Sequence, residues 1–110
     1  MLAGMKTEGN IAAIRYNLGN RIRMLREDQE LSQYRFAEMI QTDRSYIIGV
    51  EKGRRNLTVD KLIQIAQGLG IPLSDLCKDV DNEESIRERL QIMESQKAKE
   101  ASSEDSQTEQ

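Results

Sequence analysis

Apolar residues recur every three or four positions along most of the first eighty residues. Ile11, Ile14, Leu18, Ile22 and Leu25 fall on one face of a helix predicted from about Asn10 to Asp28. Gly19 interrupts it at a cost of about 1 kcal/mol relative to Ala, unless another backbone packs close there. Arg26 follows Ile22 by four and sits beside the stripe, where its head group can turn inward. Ser32 reads as an N-cap, with Phe36, Ala37 and Ile40 on one side of the helix that follows. Thr42 reads as the next cap, only two residues after Ile40, so two short helices meet at a very tight connection. Ile47 and Val50 are the inward positions of the third helix. Thr58 opens a fourth, with Leu62, Ile65, Ala66 and Leu69 as its stripe, and Gly70 stops it. Pro72 starts a last short helix, "PLSDLC". No alternating pattern competes anywhere, so the expected fold class is all-α, a compact bundle of five short helices.

The character changes after residue 80. "NEESIRERLQIMESQKAKE" keeps only a sparse stripe, Ile86, Leu90 and Met93, and "ASSEDSQTEQ" has no apolar residue beyond Ala101. The expected organisation is a flexible N-terminus over 1–10, a compact helical domain over 11–79, a C-terminal helix over 80–99 and a disordered acidic tail over 100–110. The stripe spans under two heptads, too short for a coiled coil by itself. It suits either an extension of a dimer interface formed by the fourth and fifth helices or a frayed surface helix.

Composition narrows the chemistry. The 110 residues include one Cys and no His, which excludes an internal disulfide and argues against a Cys/His zinc site. Cys77 follows "SDL" and fits a small core side chain better than a redox sensor. No apolar run is long enough to span a bilayer, and "MLAGMKTEGN" lacks the basic start and apolar core of a secretion signal. The expected location is the cytoplasm. A nucleophile–base pair and a phosphate-cradling Gly loop are both missing, so no enzyme activity, cofactor, metal or small-molecule ligand is expected. The net charge of −3 conceals an asymmetry: residues 11–80 carry eleven Arg/Lys against nine Asp/Glu, and residues 81–110 four against nine. A mildly basic domain precedes an acidic tail.

Two short helices joined at a sharp turn make a helix-turn-helix. Residues 17–77 add specific marks: "RIRMLRE" on the first helix, "LSQ" opening the second, "RSYI" and "VEKG" on the third, and "IAQGLGI" closing the fourth. Together they resemble the Cro/repressor type of helix-turn-helix, the XRE family, and "DRSYIIGVEKGRRNLT" is also similar to controller proteins of restriction–modification systems. The resemblance implies double-stranded DNA as partner, with the third helix in the major groove. Base contacts are then expected from Asp43, Arg44, Ser45, Ile48 and Gly49: Arg44 bidentate to guanine, Ile48 against a thymine methyl, and Gly49 letting the helix approach the groove floor. Backbone contacts are expected from Gln33, Thr42, Tyr46, Lys52, Arg54, Arg55 and Asn56. The family pattern also implies an ion pair between Arg26 and Glu51. Two positions depart from it: Gln41 stands where a Gly is usual in the turn, and Arg35 where a Glu completes the capping box.

The leading expectation is a sequence-specific transcriptional regulator acting as a homodimer on a palindromic operator. The alternative is an antitoxin or protein-interaction module that keeps the fold and binds a partner protein through its C-terminal segment.

Overall fold

The computed structural model describes residues 7–108, with side chains described for residues 9–100. Six helices follow in order: α1 (Thr7–Asp28), α2 (Gln33–Met39), α3 (Arg44–Glu51), α4 (Val59–Leu69), α5 (Leu73–Leu76) and α6 (Glu83–Thr108). No strand forms among the described residues, and no helix there is long and apolar enough to cross a membrane.

The local signals for α2 and α4 act as read. The Ser32 hydroxyl accepts from the Arg35 amide at 3.0 Å, and the Thr58 hydroxyl from the Lys61 amide at 3.1 Å. Gly70 closes α4 in the left-handed conformation. The cap of α3 is different. Asp43, not Thr42, holds the N-cap position, its carboxylate accepting from the Tyr46 amide at 2.8 Å. Both residue types cap well, and a carboxylate adds charge complementarity to the helix start. Thr42 instead donates its amide to the Ala37 carbonyl at 2.9 Å, within the α2–α3 turn.

The core gathers the inward faces of α1 to α5. Ile22, Phe36, Ile47, Ile65 and Leu76 are fully buried, and Ala37, Ile40, Val50, Ala66 and Leu69 surround them. Gly19 meets α3 here. A Cβ on it would collide with the carbonyl oxygens of Val50 and Glu51, so the glycine lets the last turn of the third helix rest on the first. Two side chains tie the bundle further: Arg21 donates to the Asp75 carbonyl at 2.7 and 3.0 Å, and Gln29 to the Leu69 carbonyl at 2.7 Å.

The ends of the chain differ from expectation. Ile11 is 45 % exposed, whereas Asn10 and Ala13 are buried. They lie on the stretch of α1 across which α6 folds back. Ile86 is fully buried, and Leu90 lies 3.8 Å from where a Gly9 side chain would begin. Asn17 clamps the junction, donating to the carbonyls of Val80 (3.0 Å) and Ser85 (3.3 Å) and accepting from Arg89 at 3.0 Å. This packing starts α1 at Thr7 rather than Asn10, so residues 7–10 of the expected flexible segment are helical and residues 1–6 lie outside the described ones. At the other end the backbone continues helical to Thr108, well into the stretch expected to lack structure. The Glu, Lys, Gln and Ala residues that follow the anchored turns propagate a helix once it is nucleated. Residues 109 and 110 lie outside the described residues.

Gln41 takes a positive φ of 58° in the α2–α3 turn. That conformation costs a side-chain-bearing residue about 1–2 kcal/mol, part of which glycine would lose again to its own backbone entropy. Gln41 is exposed, so Gln41→Gly should raise stability by roughly 0.5–1 kcal/mol. A thermal melt should rise by several degrees. An unchanged or lowered midpoint would show that the turn carries no such strain.

Candidate nucleic-acid interface

The helix α3 is held from beneath and open on top. Ile47 and Val50 pin it to the core, and Glu51 fixes its end. Arg26 grips that glutamate with both prongs, Nε to Oε2 at 2.7 Å and Nη2 to Oε1 at 3.0 Å. The two side chains are 8 % and 3 % exposed. The third guanidinium nitrogen donates to the Leu31 carbonyl at 2.6 Å, tying the same arginine to the segment before α2. Hydrogen bonding to Glu51 keeps the Arg26 pKa above its ordinary value despite burial. The expected ion pair is therefore formed, and it joins three elements.

Gln33 is attached to this pair. Its amide nitrogen donates to Glu51 Oε1 at 3.1 Å from the first turn of α2. The residue expected at the DNA backbone is thus pre-positioned by the carboxylate that anchors α3.

At the other end of α3, Asp43, Arg44 and Ser45 are all exposed. Asp43 accepts from the Ser45 hydroxyl at 2.8 Å as well as from the Tyr46 amide. These two bonds, the hydroxyl first, hold its carboxyl below the usual range. Asp43 and Ser45 are committed to each other in the free protein, so Asp43 acts as a cap before anything else. Arg44 has no such tie: among the described residues no side chain pairs with it.

The basic turn does not project as a loose loop. Arg55 folds back over α3, its guanidinium 5.3 Å from the centre of the Tyr46 ring, with the Lys61 ammonium 5.4 Å from the same ring. A Cβ at Gly49 would meet the Arg55 side chain at 3.1 Å. Gly49 therefore makes room for Arg55 across the helix. Tyr46 is half-buried between the two cations, and that burial pushes its hydroxyl pKa up. Lys52, Arg54 and Asn56 are exposed.

Ile48 is half-buried and lines an open groove of about 620 Å³ between α1, α3 and α6, together with Gln33, Lys52 and Arg54. Two further groove residues, Asn20 and Arg23, went unnoticed in the sequence. They hydrogen-bond to each other on the exposed face of α1. Their three-residue spacing puts them on one face, but an Asn and an Arg on an amphipathic helix look like ordinary solvated positions. Cys77 is half-buried with its thiol pKa raised by burial, as suits a packed thiol.

Two short helices at a tight turn, the second locked underneath and open above, with cations around its exit, define a helix-turn-helix of the kind that grips double-stranded DNA. The chain belongs to the helix-turn-helix family, which matches residues 22–76. It is a DNA-binding transcriptional regulator. It is 41 % identical over 71 residues to the control protein C.MunI of Mycoplasma sp, a match covering 64 % of this chain and 96 % of that protein. The control protein C.BamHI of Bacillus amyloliquefaciens is 33 % identical over 64 residues, covering 57 % of this chain and 79 % of the relative. Among solved structures, the restriction-modification controller protein C.AhdI of Aeromonas hydrophila superposes with a TM-score of 0.54 at 38 % identity, over 56 % of this chain and 92 % of that one.

Proposed function

We propose that the chain is a sequence-specific regulator that binds a palindromic operator as a homodimer and controls its own gene. The observation that carries this reading is α3 itself, fixed by the buried Arg26–Glu51 pair and presenting an unpaired Arg44 at its start. In this reading Arg44 reads guanine in the major groove, with Ser45 beside it once DNA competes for its hydroxyl. Gln33, Lys52, Arg54 and Asn56 hold phosphates, and Thr42 stands at the edge of the same surface. Tyr46 and Arg55 act together, the ring steering the guanidinium toward the backbone. Asp43 contributes mainly as the cap, and Ile48 makes its apolar contact from the groove edge.

Dimerisation is supported by apolar side chains left open on two adjoining helices. Ile63 on α4 and Leu73 on α5 are each 38 % exposed, and Val59 is 64 % exposed. Control proteins among the relatives support the regulatory role. The antitoxin reading loses part of its support, because Ile86, the first residue of the stripe meant for a partner, is fully buried, while Leu90 and Met93 are half-buried.

A footprint on the DNA upstream of the chain's own gene tests the proposal. Two protected patches on one face of the duplex, about 34 Å apart, are expected. A single patch, or uniform protection along any DNA, would rule out the dimeric operator reading.

A further inference from the structure

The groove that holds Gln33, Lys52 and Arg54 has a second wall, and that wall is α6. Gln96, Lys99 and Glu100 line it from the distal half of this helix, opposite Arg23 and the end of α3. The helix-turn-helix family match ends at residue 76, so α6 is an addition to the part that defines the family. We propose that α6 is a DNA-backbone clamp: the strand whose phosphates meet Gln33 passes between α3 and α6, and Lys99 contacts it from the far side. The inference rests on the DNA-binding reading above and extends its surface.

Three observations carry it. The first is charge. Arg23, Lys52, Arg54, Arg89 and Lys99 all border one groove, and of its two carboxylates Glu51 is already neutralised by Arg26. Glu100 is the other. A concave site of this sign concentrates anions, and a phosphodiester strand is the extended anion a groove open along its length can admit. The second is anchoring. Asn17 and the ring of Tyr16 fix Arg89, whose guanidinium lies 5.9 Å from that ring, so the root of α6 is set firmly against α1. The third is freedom at the tip. Residues 94–100 are exposed throughout, so Lys99 is not consumed by packing, and among the described residues no carboxylate pairs with it.

The test uses the full-length chain and operator DNA, with binding constants measured over a range of salt concentrations. One phosphate contact contributes about 0.9 to the slope of log K against log salt. Lys99→Ala should flatten the slope by roughly that amount and weaken binding about fivefold near physiological salt. Lys99→Glu should weaken it further. Arg87→Ala serves as the control, removing the same charge from an exposed position on the same helix that does not line the groove, and should leave the slope unchanged. The proposal is overturned if Lys99→Ala matches wild type, if it binds more tightly (α6 would then cover the groove), or if Arg87→Ala loses as much. A wild-type chain with no affinity for DNA would instead overturn the underlying reading, and the clamp with it.

Discussion

Glu51→Ala should cost about 3–5 kcal/mol of stability, a large share of the roughly 5–15 kcal/mol available to a small domain. The substitution leaves the Arg26 guanidinium buried with only the Leu31 carbonyl as partner. An uncompensated buried cation is the expensive part; the pair itself need not be strongly favourable. The same change removes the acceptor of Gln33 and loosens the end of α3. A thermal melt should fall by at least about 10 °C at several degrees per kcal/mol. Replacing both partners with apolar residues of similar size should be milder than Glu51→Ala alone, because no charge is stranded. An unchanged melt for Glu51→Ala would mean the pair is solvated in solution and α3 is held by Ile47 and Val50 without it.

The second large effect is functional. Arg44→Ala should leave stability within about 0.5 kcal/mol of wild type, since the side chain is exposed and unpaired in the free protein. It should lose roughly 1–3 kcal/mol of preference for the operator over random DNA. Arg54→Ala makes the contrast: loss of a phosphate contact weakens binding to all sequences alike and lowers the salt slope. The two variants separate reading from gripping. If Arg44→Ala behaved like Arg54→Ala, α3 would be a non-specific grip.

Much of this was legible in the sequence, and the reason is locality. The caps at Ser32 and Thr58, the stop at Gly70 and the stripes of α2, α3 and α4 are each specified within a few residues, and each formed. Gly19 was legible as a position needing a close neighbour, though not which one. What stayed hidden depends on contacts distant in sequence. The surface of α1 that receives α6 includes Gly9 and Asn17, with Asn10 and Ala13 buried along the same stretch, small or polar residues that no hydrophobic stripe announces. The Ile86 stripe showed that α6 had a face to bury but not that α1 would cover it. The neighbour of Gly49 is equally non-local, since Arg55 returns across the helix from the basic turn. Thr42 and Asp43 are both capable caps, and the choice between them rests on where the tight turn ends.

The consequence for the interface is a division of labour. Buried groups set the geometry: Arg26 and Glu51 lock α3, and Glu51 aims Gln33. In the proposed function the exposed groups are the ones that meet DNA: Arg44 at the start of the helix, Lys52 and Arg54 at its exit.

The most direct measurement is a titration of the wild-type chain against the palindrome-containing DNA upstream of its own gene and against random DNA, at several salt concentrations. A sequence-reading regulator should favour the upstream DNA by about 10³-fold or more at physiological salt, on a salt slope shared in large part by both DNAs. Equal affinity for the two, with the same slope, would contradict it and reduce the exposed face of α3 to an electrostatic grip.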